Sequence, residues 1–263
     1  MTRPAVDHVV VMVRDLDAAV ERWTRLGFVA TPRGFHSAHM GTANHCLMFG
    51  SDYVELIGIV TPTEANGHWR AQLDRREGAG GLALATDDAR AAEAALARAG
   101  ISAGPVLDFV RPVRFDGGTG DAAFSVARAK GFAGDGLDLF FCEQRTRDLV
   151  WRPEWRGHAN GALALAHVDF VNPDPAGFAS RLARVFGPDA IARDGDALVV
   201  ATGSVPLRVW AGEEARLTGF AVRVADLDRT AEALETGAIA HVHRPRSIEV
   251  AAADGVALSF VEA

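Results

Sequence analysis

Glu55 stands inside Val54-Glu55-Leu56-Ile57-Gly58, an apolar run where a carboxylate is costly to bury unless it is paired or bound to a cation. Strand alternation would equally let it face water. His8 opens another apolar run, Asp7-His8-Val9-Val10-Val11-Met12-Val13, either as a backbone-bonded histidine at the core edge or as a partner of Glu55. His36, His39 and His45 crowd the next polar stretch, where His39 and Asn44 could bind a substrate carbonyl or carboxylate. Arg111 and Arg114 are read as sharing one strand face, where they clamp an anionic substrate or point to solvent. Trp69 could wall an apolar pocket, while Trp151 and Trp155 are read as staples for a linker. No nucleophile elbow, phosphate loop or dinucleotide fingerprint is present.

Strands must hold these residues, and the chain writes one strand-helix sentence four times. Asp15, Asp88, Asp174 and Asp226 each follow an apolar run and open a helical pattern, the position of an N-cap. Stepping back seven residues from each gives His8, Gly81, His167 and Gly219. The spacing predicts helices over 15–26, 88–99, 175–186 and 227–236, stopped by Gly27, Gly100, Gly187 and Gly237. Short strands joined by tight turns follow each helix, which implies antiparallel neighbours. One such βαβββ unit leaves a sheet edge open, so units should pair. The expected fold is α+β: tandem βαβββ modules pairing into two curved, barrel-like mixed sheets with helices on the outside. The division expected is 1–145 and 160–263, each with two units and those of the second part shorter, across the Arg- and Trp-rich linker Glu143 to Ala162.

Asp7-His8-Val9 with Arg14-Asp15-Leu16, and Tyr53-Val54-Glu55-Leu56, resemble the glyoxalase and vicinal-oxygen-chelate superfamily. His39-Met40-Gly41-Thr42-Ala43-Asn44, Cys142-Glu143-Gln144, Val150-Trp151-Arg152-Pro153-Glu154-Trp155 and His158-Ala159-Asn160-Gly161 resemble its glyoxalase-like branch of two-domain bacterial proteins. The resemblance spans nearly the whole chain. It implies a metal ligand at the start of the first strand and a carboxylate in the last strand of each unit. Carried over, these slots are His8 and Glu55, Gly81 and Asp138, His167 and Pro206, and Gly219 and Ala257. The amino-terminal half thus keeps His8, Glu55 and Asp138, and the carboxy-terminal half keeps His167 alone. An extradiol dioxygenase, with its iron in the second domain, fits this pattern poorly.

An imidazole with one or two carboxylates suits a divalent ion such as Zn, Ni, Mn or Fe. The resemblance therefore implies a metal-dependent lyase, isomerase or related enzyme acting on a small oxygenated substrate. Glu55 would be both ligand and catalytic base; His39 is the expected stand-in for the ligand missing at Gly81. The alternative is a metal-free protein that binds or sequesters a small molecule. A formal net charge of -7, with Lys130 the single lysine, argues against nucleic acid. Two cysteines are too few for a disulfide framework or a Cys-rich zinc site. No apolar stretch is long enough for a membrane span and no leader is evident, so a soluble cytoplasmic protein is expected. A homodimer is compatible with the sequence.

Overall fold

The computed structural model describes residues 2–263. The four repeats emerge as four βαβββ units. The first is β1 (Val6–Val13), α1 (Leu16–Arg25), β2 (Gly34–Phe35), β3 (Thr42–Met48) and β4 (Tyr53–Ile59). A helix absent from the repeat pattern, α2 (Gly67–Arg75), leads into the second unit: β5 (Gly78–Thr86), α3 (Ala89–Arg98), β6 (Leu107–Phe115), β7 (Gly118–Ala129) and β8 (Asp138–Gln144). The third is β9 (Ala162–Asn172), α4 (Pro175–Phe186), β10 (Ile191–Asp194), β11 (Ala197–Val200) and β12 (Leu207–Ala211). The fourth is β13 (Arg216–Val224), α5 (Leu227–Thr236), β14 (His241–Arg244), β15 (Ser247–Ala253) and β16 (Val256–Glu262).

The helix starts have the chemistry read from the sequence. The carboxylates of Asp15, Asp88, Asp174 and Asp226 each accept from a backbone N–H of the first turn. Units pair into two eight-stranded mixed sheets, ordered β2-β3-β4-β1-β5-β8-β7-β6 and β10-β11-β12-β9-β13-β16-β15-β14. In each sheet the first strands of two units lie antiparallel at the centre, and each runs parallel to its own unit's last strand.

Period-two alternation then divides every central strand between two environments. Val9, Val11 and Val13 of β1 join a core that contains the helices and runs on through Val168, Phe170 and Phe220 of the second sheet. Trp23 of α1 lies in this joint core, with its Nε1 donating to Asp254 at 2.8 Å and its ring stacked 6.2 Å from that of Phe220. Helices α1, α3, α4 and α5 therefore share this core, where the helix-bearing sides of the two sheets meet, whereas α2 packs Trp69 and Leu73 on the other face of the first sheet. Val10 and Met12, one step over, belong to a separate apolar cluster on the other face of the first sheet.

The linker is pinned rather than free. His158 accepts from Val29 N–H and bonds the Met48 carbonyl at 2.8 Å, and the Asn160 amide donates to the Leu26 carbonyl. Among the described residues no helix is long and apolar enough to cross a membrane.

Candidate functional site

The open face of the first sheet holds a half-open cleft of about 600 Å³, its mouth included. Every wall comes from the same side of the alternation: His8 and Val10 from β1, Asn44 from β3, Glu55 and Ile57 from β4, Phe109 and Arg111 from β6, Phe124 from β7 and Phe140 from β8. Trp69 closes one side from α2.

His8 and Glu55 face one another across this wall. His8 Nε2 lies 3.4 Å from Glu55 Oε2, although their Cα partners in the β1–β4 ladder are Tyr53 and Val10. Both are buried, at 3% and 7% exposure. Each is held from behind. Asp7 Oδ2 engages His8 Nδ1 at 2.7 Å, Tyr53 stacks on the imidazole at 4.3 Å, and Gln144 donates in turn to Asp7. Asn44 Nδ2 donates to Glu55 Oε1 at 2.5 Å. Burial alone would lower the His8 imidazole, but hydrogen bonds and charge from Asp7 and Glu55 outweigh it and carry it up to about 9. Burial pushes Glu55 the other way, yet the His8 hydrogen bond and charge, with help from His36 and Asn44, hold the carboxyl down to about 2.

A second imidazole reaches this pair. His36 Nε2 is 3.8 Å from Glu55 Oε1, and its Nδ1 is tied to Thr42 Oγ1 at 2.7 Å. Burial lowers His36 to about 4, so it stands neutral beside the carboxylate. In the sequence His36 is one of three histidines in a polar stretch, and it, rather than His39, is the one that approaches Glu55. His39 is exposed and lines no part of the cleft. The available signal was parity around the short strand β2, whose Gly34 pairs with Asn44.

The paired unit contributes less than expected. Along one row of the sheet, Glu55 pairs with Val10, Val10 with Gly81 and Gly81 with Asp138. A Cβ on Gly81 would come within 2.8 Å of the Val10 Cβ, so Val10 fills the space where a side chain would stand. Asp138 is ion-paired with Arg128 and lies 3.5 Å from His68 Nε2. Arg128 itself is spread over the rings of Trp69 and Phe140. Among the described residues no group of three or more His, Cys, Asp and Glu side chains is arranged to hold a cation.

Arg111 and Arg114 do not share a face. Three residues apart on a strand is an odd step, which sends side chains to opposite sides. Arg111 is buried in the cleft, whereas Arg114 is exposed and borders a shallower hollow with Pro32 and Trp155. In the second sheet the histidine of the equivalent slot, His167, sits 3.4 Å from Asp169, whose carboxylate is bound by two nitrogens of Arg208.

Two mixed sheets of paired βαβββ units, with a cleft on the open face of the first, define a vicinal-oxygen-chelate fold. The chain belongs to the glyoxalase-like domain family, whose model matches residues 6–186. A search of the curated proteins finds no match. A hypothetical protein from Staphylococcus aureus superposes with a TM-score of 0.75 at 13% identity, covering 98% of this chain and 99% of that one. A triple mutant of 4-hydroxymandelate synthase from Streptomyces coelicolor gives 0.68 at 14% identity, covering 100% and 93%. Homoprotocatechuate 2,3-dioxygenase from Arthrobacter globiformis gives 0.59 at 15% identity, covering 100% and 81%. At these identities the likeness concerns the fold.

Proposed function

We propose that this protein is a divalent-cation-dependent enzyme, a lyase, isomerase or related activity, acting on a small oxygenated molecule in the amino-terminal cleft. The observation that carries the reading is the convergence of His8 Nε2 and Glu55 Oε2 at 3.4 Å, buried in a cleft and each braced from behind. Two ligands at about 2.0–2.2 Å from one tetrahedral ion stand roughly 3.4 Å apart. The Asp7 contact on His8 Nδ1 is the kind of outer support that fixes a ligating imidazole with Nε2 toward the ion.

The donors fit a cation from one side of the cleft. His8 and Glu55 would hold it, His36 is the nearest third donor, and Asp138 joins only by leaving Arg128. The ion would supply Lewis acidity toward two neighbouring substrate oxygens. The chain's own residues do the rest. Apolar walls from Ile57, Phe109, Phe124 and Phe140 exclude water from the substrate body. Asn44 fixes one oxygen of Glu55 and leaves the other toward His8. With Oε1 held by Asn44, Oε2 would act as the base of the site by taking up a substrate proton when neither His8 nor the ion engages it.

Glu55→Gln keeps the shape and removes the charge, so zinc affinity measured by titration calorimetry should fall at least about tenfold with the melting temperature nearly unchanged. Equal affinity in both proteins would reject the reading. A second reading, a metal-free binding protein, is favoured by Val10 in the Gly81 slot and by the Asp138–Arg128 pair. It predicts no specific zinc binding by either protein.

A further inference from the structure

Arg111 is 8% exposed and lines the cleft, yet among the described residues no carboxylate lies within ion-pairing distance of it and no side chain hydrogen-bonds to it. A largely buried guanidinium that faces a cleft with no carboxylate beside it is placed to take an anion that arrives from outside. The other cation of the cleft, Arg128, already has Asp138.

The surroundings make room for this group. Gly34 of β2 lies against it: a Cβ there would come within 2.6 Å of Arg111 Nη1 and 2.5 Å of Asn44 Oδ1. Gly34, whose backbone angles do not themselves demand glycine, lets the guanidinium and the Asn44 amide lie close to β2, and a methyl there would push them aside. The guanidinium also lies over the Phe124 ring, 5.5 Å from its centroid, and Phe124 stacks on Phe109 at 5.2 Å. Arg111 thus shares the cleft with an apolar wall of Phe109, Phe124 and Phe140 and with the polar group of His8, His36, Asn44 and Glu55. Among the described residues, the other charged groups of the lining are already matched: His8 by Asp7 and Glu55, and Arg128 by Asp138.

We infer that the ligand of this cleft is a monocarboxylate with an apolar body, its carboxylate held by the Arg111 fork and its body between Phe109, Phe124 and Phe140. A carboxylate matches the planar fork through two parallel hydrogen bonds. A single guanidinium balances one negative charge. Among the described residues of the lining, the other guanidinium, Arg128, is held by Asp138, so no second free fork meets the further charge of a phosphate. This inference rests on the amino-terminal cleft being the binding site, as proposed above, and adds the class of molecule it takes.

Phenylacetate and its neutral isostere phenylacetamide provide the probes, with binding followed by calorimetry on wild type, Arg111→Met and Gly34→Ala. Wild type is expected to prefer the anion by at least about tenfold. Arg111→Met should bind the two equally and should melt no lower than wild type, because an uncompensated buried charge has been removed. Gly34→Ala, which displaces the guanidinium without deleting it, should lose most of the preference. It also keeps the test decisive if Arg111→Met fails to fold. Equal binding of both probes by wild type, no phenylacetate binding at millimolar concentration, or an intact preference in the variants would overturn the inference. Zinc binding by wild type, measured in parallel, separates the two readings. Its absence with the anion preference intact rejects the cation reading alone, and the converse rejects this one alone.

Discussion

His8 is gripped on one ring nitrogen by Asp7 and faces Glu55 with the other, so its orientation is fixed before any ligand arrives. His167 holds the same slot in the second sheet with a different outcome. Its neighbour Asp169 is bound by Arg208, and the slots around it are Pro206, Gly219 and Ala257, which offer no side-chain donor. His167→Ala should therefore leave zinc content and any turnover unchanged, whereas a tenfold loss of either without unfolding would make the second sheet part of the site. That Glu55 is buried and paired was legible from its setting, because a lone carboxylate in an apolar run needs a partner. His8 was legible as one partner, and the other imidazole near Glu55 was not. His36 rather than His39 reaches it, since the chain leaves β2 before His39, and no spacing rule reports where an irregular segment turns.

At the scale of elements, the repeat was readable because it is written in chemistry that acts locally. An aspartate accepting from the first helical turn needs no knowledge of the rest of the fold, and all four helix starts were found that way. The slots across β1, β4, β5 and β8 depend instead on register between strands distant in sequence. Position alone could not show that Val10 lies over Gly81, or that Asp138 has Arg128 beside it. The Val10–Gly81 contact is tight enough to test. Gly81→Ala places a methyl 2.8 Å from the Val10 Cβ in the middle of the central strand pair. It should cost about 1–3 kcal/mol of stability, as overpacking does. Val10→Ala in the same chain should restore part of that loss. Equal denaturation midpoints for wild type and Gly81→Ala would show that the register leaves slack here.

At the scale of the molecule, the two sheets share one apolar core and several polar ties. One tie is the turn between β3 and β4, which docks on the start of β9. The Leu165 N–H donates to Asp52 Oδ1 at 2.8 Å, and the Gly50 N–H donates to the Leu163 carbonyl. Asp52 is only 2% exposed, and burial raises its carboxyl from 3.8 to about 6, against the opposing pull of the Leu165 and Ser51 hydrogen bonds. The folded state thus prefers the protonated acid. That contribution is complete below the unfolded value and is lost as pH rises through about 6. A shift of this size corresponds to something on the order of 2–3 kcal/mol. Asp52→Asn keeps the acceptor and has no charge to bury. Its melting temperature should exceed that of wild type at pH 8 and converge with it near pH 4. Parallel melting curves across that range would show that Asp52 ionises without cost in the fold.

The pairing of units into two sheets was legible because a lone βαβββ unit cannot close its own edge. That the helix-bearing faces of the two sheets also meet, with Trp23 between them, was not, because helical spacing marks an apolar face without naming what covers it. The central claim, a cation held by His8 and Glu55, is tested most directly by anomalous diffraction at the zinc edge from crystals equilibrated with zinc. The account predicts one dominant peak in the first-sheet cleft, within about 2.0–2.2 Å of both His8 Nε2 and a Glu55 carboxylate oxygen. A cleft without a peak, or a zinc ion bound elsewhere with the His8–Glu55 contact intact, would contradict it.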